Sequence, residues 1–319
     1  MEAPPQIRQT LSEISSRTHA ALRIAVGIRL GSLPPSAAAG REDVASYAAS
    51  LARQLQPRAR RSNPTTGAAL RMSAASCYLP EHDEDAHFFH AGVIGVADGV
   101  GGCRLEGLDA AAFSRGLMAS ALSEVVASSS AAPPPPGGVC PYALLEKAYQ
   151  QTTASGTPAA STAVIVSLAG RVLRWAYVGD SGFAVFRDGR ILHRSQPQQC
   201  YFNCPFQLSS DSDDSNKVSD AAVGEIAVEE GDVVVVASDG LFDNVFDAML
   251  EKIVQSGQAL SFTPKNMADI IASQAYAAAR RTQDTPFSVA AREHGRNKTG
   301  GKKDDTTVVV AFIESRDMA

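Results

Sequence analysis

Residues Ala91 to Gly102 read AGVIGVADGVGG, an apolar run that delivers Asp98 into a cluster of glycines. Val93, Ile94 and Val96 supply the β-branched content of a strand, and Gly99, Gly101 and Gly102 end it where backbone can approach a bound ion closely. The stretch predicts a buried strand that terminates in a candidate metal ligand. The same grammar returns at Val233 to Asn244, VVVVASDGLFDN, where Asp239-Gly240 follows another β-branched run. It is reversed at Lys303 to Ala311, where Asp304-Asp305 precede a strand. Carboxylates this far apart in sequence share a site only if the fold gathers the strand ends.

The chain has 319 residues and is 45% hydrophobic, enough for a large buried core. No run of about 18 apolar residues occurs, so no transmembrane helix is expected. The net charge of -5 is unevenly spread. Before Ser73 there are ten arginines, no lysine and four acids, a balance of +6, so the remainder carries -11. An acidic body disfavours nucleic acid as a partner and suits a site that collects divalent cations. Five scattered cysteines, an odd number, point to a reducing compartment. Cys200 and Cys204 have no second Cys or His pair at ligand spacing, which argues against zinc.

Residues 1–72 are rich in Ala, Ser, Pro and Arg, with a helical patch from Leu11 to Leu30 and a linker-like stretch from Arg58 to Gly67. Such composition fits either an organellar transit peptide or an unspecialised extension, and Glu2 and Glu13 weigh against the former. A packed domain is expected over residues 73–316. Its first strand is placed at Ala74 to Leu79, a turn at Glu81 to Asp85, and one strand from His87 to Ala97. Asp109 caps a helix expected over Ala110 to Ala127, Ala131 to Gly138 forms an exposed loop, and Tyr142 to Thr153 a second helix. Strands follow at Thr162–Leu168, Val172–Val178, Phe183–Phe186 and Ile191–His193, the last two joined by a turn at Asp188-Gly189. Ser209 to Asp220 is expected to be a mobile loop. Strands at Glu225–Val228 and Val233–Ala237, helices at Phe246–Gln255 and Pro264–Arg281, a polar loop to Lys303 and a closing strand at Thr306–Phe312 complete the body. Runs of strands between helices, without strict alternation, predict an α+β fold with largely antiparallel sheet.

An Asp-Gly pair is usually just a turn, as at Asp188-Gly189. Asp98 and Asp239 differ because a long apolar strand precedes each. Glu84, Asp85, Asp304 and Asp305 add candidate oxygen ligands. An all-oxygen donor set suits Mg²⁺ or Mn²⁺. Two such ions about 3.5–4 Å apart can share a carboxylate, activate a bridging water and hold a phosphate. The motifs of a protein nucleophile are missing: no cysteine has an arginine six residues on, and Gly179-Asp180-Ser181-Gly182 is not a Gly-x-Ser-x-Gly elbow. The glycines after Asp98 match neither a Walker loop nor a dinucleotide fingerprint.

Taken together, Glu84-Asp85-Ala86, Ala97-Asp98-Gly99-Val100-Gly101-Gly102, Ser161-Thr162-Ala163, Gly179-Asp180-Ser181-Gly182, Ser238-Asp239-Gly240-Leu241-Phe242-Asp243-Asn244 and Asp304-Asp305-Thr306-Thr307-Val308 stand in the order seen in the metal-dependent (type 2C) serine/threonine protein phosphatases. The chain resembles that family from Ala74 to Ile313. The Asp-Gly-Val-Gly-Gly form, with Tyr201 to Leu208 and Thr285-Pro286-Phe287, is most similar to the branch found in mitochondria and chloroplasts. The resemblance implies a central sandwich of two antiparallel sheets flanked by helices. It also implies two Mg²⁺ or Mn²⁺ ions, and hydrolysis of phosphoserine and phosphothreonine by a water bridging them. Asp98 would bridge both ions, the Gly99 carbonyl would bind one, and Asp239 and Asp304 would hold the second. Glu84 and Asp85 would act through water, and Asp243 would serve a weaker third ion.

Three departures bear on mechanism. Val100 stands where many relatives have a histidine, so the leaving oxygen must take its proton from a metal-bound water or another group. The phosphate-binding arginine has no counterpart among Leu79, Pro80, Glu81 and His82. Ala160 and Thr157 replace a glycine and an acid, which weakens the case for a third ion. The expected protein is a monomeric phosphatase of phosphoproteins, in a chloroplast or mitochondrion and otherwise cytoplasmic. The alternatives are a catalytically silent regulatory or binding protein on the same fold, and a phosphatase of small phosphorylated molecules.

Overall fold

Alternation along the strands decides the architecture. In the strand Val233–Ala237, Val233, Val235 and Ala237 pack into one apolar cluster while Val234 and Val236 pack into another. A strand buried on both faces reads as an unbroken apolar run, and successive side chains point to opposite faces of the sheet. VVVVA is therefore the signature of a central strand covered on both sides.

The computed structural model describes residues 69–316 apart from 106, 131–136, 157 and 211–215. The helical patch Leu11–Leu30, the linker Arg58–Gly67 and most of the proline-rich loop lie outside the described residues, as does the centre of the acidic loop between Ser209 and Asp220. In chain order the first strands and helices are β1 (Leu70–Leu79), β2 (Asp85–His90), β3 (Val93–Asp98), α1 (Gly102–Leu105), α2 (Ala110–Ser130) and α3 (Pro141–Ala154). Then come β4 (Ala160–Ser161), β5 (Ala163–Ala169), β6 (Val172–Val178), β7 (Gly182–Arg187), β8 (Arg190–Arg194), β9 (Gln199–Tyr201), β10 (Cys204–Pro205) and β11 (Leu208–Ser209). The rest is β12 (Ala222–Ala227), β13 (Val233–Ala237), α4 (Asp239–Phe242), α5 (Asp247–Ala259), α6 (Pro264–Ala278), α7 (Pro286–Glu293) and β14 (Thr306–Ser315).

Two five-stranded antiparallel sheets result, in the orders β1-β14-β13-β7-β8 and β12-β6-β5-β3-β2. Ile94, Val96, Val164 and Val166 of one sheet meet Phe183, Val185, Val234, Val236 and Val309 of the other in the central layer. The opposite face of the β3 sheet is covered by Phe113, Leu117 and Val125 of α2 and Leu145 of α3. The opposite face of the β13 sheet is covered by Leu250 and Val254 of α5 and Met267, Ile271 and Ala275 of α6. The layers run helix, sheet, sheet, helix, as the resemblance implies.

Most expected elements are present with shifted ends. Asp109 Oδ1 accepts from the Ala112 amide at 3.1 Å and caps α2, which runs on to Ser130. The Asp188-Gly189 turn closes the β7–β8 hairpin with both residues at positive φ, 51° and 72°. One strand expectation is corrected. His87 to Ala97 is not continuous, because Ala91 and Gly92 take positive φ (47° and 77°) and fold the segment into the β2–β3 hairpin. Strand-forming residues on both sides, Phe88-Phe89 and Val93-Ile94, concealed the turn in sequence, although Phe89 and His90 beside it are exposed. The loop expected before Lys303 also contains α7. Thr285 caps it by accepting from the Ser288 amide at 3.4 Å, and Pro286 stands at its first position.

Gly240 and Gly102 belong to similar motifs but have different neighbours. A Cβ on Gly240 would fall 2.0 Å from the Asp305 carbonyl oxygen, whereas one on Gly102 meets nothing nearer than Val100 at 3.9 Å. Gly240→Ala is expected to lower stability in urea by about 1–3 kcal/mol. Gly102→Ala should stay within about 0.5 kcal/mol. Equal shifts in the two variants would contradict this packing.

Candidate metal centre

The carboxylates lie where ends of both sheets meet. Asp98 is the last residue of β3, Asp239 the first of α4 directly after β13, and Asp304 lies two residues before β14. They line one cleft of about 350 Å³ with Glu84, Gly99, Val100, Asp180, Lys302 and Lys303. The β3 end is held by hydrogen bonds to residues distant in sequence. The Thr162 amide and the Ser161 hydroxyl both donate to the Asp98 carbonyl, at 2.9 and 2.8 Å. The Gly99 amide donates to the Glu84 carbonyl at 3.1 Å, and the Val100 amide to the Ala160 carbonyl at 2.9 Å. Gly99 is required here because a Cβ would meet the Ala110 carbonyl oxygen at 2.7 Å.

Asp305, grouped with the candidate ligands from sequence, has another task. Its Oδ1 accepts from the amides of Glu81, His82 and Asp83 at 2.5, 2.7 and 3.1 Å, and its Oδ2 from that of Glu84 at 2.6 Å. Burial alone would raise its pKa, but these amides outweigh it and hold the carboxyl below its ordinary value. Asp305 thus ties the β1–β2 turn, and Glu84 with it, to the start of β14. A second link joins the sheets: the Ser238 hydroxyl donates to Asp85 Oδ2 at 2.7 Å and accepts from the Thr307 amide at 3.1 Å.

Crowding and burial disfavour the charged forms of these acids. Burial, with Asp85, Asp239 and Asp304 nearby, pushes Asp98 well above the carboxylate range. Burial raises Asp85 to about 8, partly offset by the Ser238 hydroxyl, and raises Asp180 to about 8 with help from Asp239 and Asp243. Asp243 rises to about 7 and Asp304 to about 6, both chiefly through burial. The opposing charge is Lys302. Its Nζ contacts Asp239 Oδ2 and lies 3.1 Å from Asp243 Oδ2 and 3.1 Å from Asp304 Oδ2. Burial works against that ammonium, yet the three acids overcome it and hold Lys302 well above the ordinary lysine value.

Of the residues singled out in sequence, Asp98, Gly99, Asp239, Asp304 and Glu84 line the cleft. Asp243 reaches it through Lys302, and Asp85 lies behind it on Ser238. His82 is exposed at the rim and Val100 lines the cleft. Two charged residues escaped the sequence reading. Asp180 stands in a Gly-Asp-Ser-Gly motif that belongs to the resemblance but carries no assigned role there. Lys302 sits in Gly300-Gly301-Lys302-Lys303, where nothing in the pattern separates it from a solvated lysine.

The donor set fits an oxygen-ligated divalent ion: the groups are carboxylates, and the buried Asp239 Oδ1 accepts no hydrogen bond. Three of the acids already converge on a cation, the Lys302 ammonium. Among the described residues no three acidic, imidazole or thiol groups surround a point at ligating distance as they stand.

No protein-family model matches the chain. It is 51% identical to protein phosphatase 2C 24 of Oryza sativa subsp. japonica, over 98% of this chain and 100% of the relative. It is 38% identical to protein phosphatase 2C 80 of Arabidopsis thaliana, over 80% of this chain and 62% of that one. Among solved structures it is similar to the photosystem II phosphatase PBCP, with 32% identity, a TM-score of 0.67, and coverage of 77% of this chain and all of that one. The catalytic domain of the phosphatase PstP, solved with 2 manganese ions, shares the fold at 20% identity and a TM-score of 0.53, over 78% of this chain and 100% of that one. With its sheet sandwich, its acidic cleft and these relatives, the chain belongs to the metal-dependent (type 2C) serine/threonine protein phosphatases.

Proposed function

We propose that Asp98, the Gly99 carbonyl, Asp239 and Asp304 hold two Mg²⁺ or Mn²⁺ ions in the cleft, with Glu84 and Asp85 acting through water and Asp243 serving a weaker third ion. Bound there, the ions would lower the pKa of water and offset the charge of a phosphoserine or phosphothreonine ester. The convergence of buried acids from separate strand ends on one cleft carries this reading: such burial is costly unless cations compensate it. The chain's own part is to fix the carboxylates. Asp305 and Ser238 orient the turn and the sheet ends, and Val100 leaves the proton for the leaving oxygen to another group. Because every acid comes from one chain, a monomer suffices.

We also propose that residues 73–316 form the catalytic domain and that residues 1–72 direct it to an organelle, a chloroplast or mitochondrion. The arginine-rich, acid-poor extension supports this, as does likeness to a phosphatase named for photosystem II. Mass spectrometry of the endogenous protein should find its N-terminus removed near Arg61 or Arg71, and an intact Met1 would refute import.

For the site itself, Asp98→Asn and Asp239→Asn should each lower divalent-dependent hydrolysis of a phosphothreonine peptide by at least about 100-fold, since even outer-shell changes at metal sites cost about 10–100-fold. Their circular dichroism should be unchanged. Hydrolysis that survives a chelator would overturn the assignment.

The same acids set a pH dependence. Asp85 and Asp180, raised to about 8, keep protons in the fold that the unfolded chain has already released. Stability must then fall as pH rises from about 4 towards 8. In chelator the melting temperature should drop between pH 5 and pH 8, and saturating Mn²⁺ should abolish most of the drop. A rise over that range without metal would contradict the burial of these acids.

A further inference from the structure

We propose that Lys302 is an internal counter-cation of the metal centre. Its ammonium and a divalent ion contend for the same oxygens of Asp239, Asp243 and Asp304, and the contest sets how tightly the second ion is held. This inference rests on the reading of those acids as ligands.

The position of Lys302 is built rather than incidental. Its backbone amide donates to Asn244 Oδ1 at 3.0 Å, and Asn244 Nδ2 donates back to the Lys302 carbonyl at 2.9 Å. The same Nδ2 donates to the Gly240 carbonyl at 2.9 Å, so Asn244 fastens the lysine's backbone to the turn that carries Asp239. Gly301 allows the close approach: a Cβ there would lie 2.4 Å from the Ala279 Cα and 2.6 Å from Asn244 Oδ1. With its backbone fixed, the side chain enters the cleft only 20% exposed and pairs with all three acids. Lys303, the next residue, lines the same cleft but is exposed.

An ammonium is a compact charge on a flexible four-carbon stem, so it can leave the acids without moving the backbone. An ion brings twice the charge and bonds the oxygens directly, yet it must first break three ion pairs. The face of Phe287 offers a second resting place, its ring centre 5.6 Å from Lys302 Nζ. The Phe287 amide is itself bonded to the Asp243 carbonyl at 2.9 Å, which keeps that ring beside the cleft. Lys302 therefore neutralises the acids when no ion does and weakens the ion when one arrives.

The test is Mn²⁺ binding to the chelator-stripped full chain, read by electron paramagnetic resonance of free Mn²⁺. Lys302→Met and Lys302→Gln should each tighten the weaker of the two sites by about tenfold, and Lys303→Met by less than about threefold. Stripped Lys302→Met should also melt below stripped wild type, with the gap closing in saturating Mn²⁺. Unchanged or weaker binding in both Lys302 variants would overturn the proposal. So would equal tightening in Lys303→Met, which would reduce the effect to long-range charge. Asp239→Asn separates the two layers of inference: if it leaves Mn²⁺ binding intact, the ligand reading itself fails, whereas if it weakens binding and Lys302→Met does not tighten it, only the role of Lys302 fails.

Discussion

Mutual repulsion among buried carboxylates is the constraint on which the rest of this molecule depends. Asp85, Asp98, Asp180, Asp239, Asp243 and Asp304 are crowded together, and burial raises the pKa of five of them. Left to themselves these groups would separate or take up protons. The sandwich prevents separation, because Asp98, Asp239 and Asp304 lie at or beside β3, β13 and β14, strands whose other residues are mostly buried. Moving Asp98 or Asp239 away would drag β3 or β13 out of the core.

Polar links of a different kind hold the scaffold together around the acids. Asp305 is the clearest contrast with its neighbour Asp304. It spends its carboxylate on four backbone amides, and its pKa is lowered where that of Asp304 is raised. A charged group fully satisfied by amides is a structural bolt, and one surrounded by other acids calls for a cation. The two side by side at the start of β14 divide these tasks between them. Lys302 supplies a positive charge from within the chain, and the same arrangement that lets the acids share a cleft makes that lysine a competitor for whatever ion they bind.

Much of this was legible in the sequence. The α+β class with largely antiparallel sheet followed from the strand runs between helices, and the sandwich of two sheets from the resemblance to the family. The converging acids followed from repeated strand-Asp-Gly grammar and then from the ordered motifs of the family. The misses have physical causes. Ala91-Gly92 is a turn between two strand-forming runs, Phe88-Phe89 and Val93-Ile94, and only the exposed His90 before it interrupts the apolar pattern. Residue chemistry alone groups Asp304 with Asp305; the resemblance singles out Asp304, and the amides of Glu81 to Glu84 show what Asp305 does instead. Lys302 was invisible because a lysine in a glycine-rich stretch is ordinarily a solvated one, and its role arises from long-range contacts with Asp239, Asp243 and Asn244.

The central claim is that these strand ends form a binuclear metal site. Anomalous diffraction from crystals grown in Mn²⁺ tests it most directly. The account predicts two strong manganese peaks about 3.5–4 Å apart, one within bonding distance of the Gly99 carbonyl, the other of Asp239 and Asp304, and both of Asp98. Manganese absent from the cleft, or bound only at surface acids while Asp98 and Asp239 stay unligated, would contradict it.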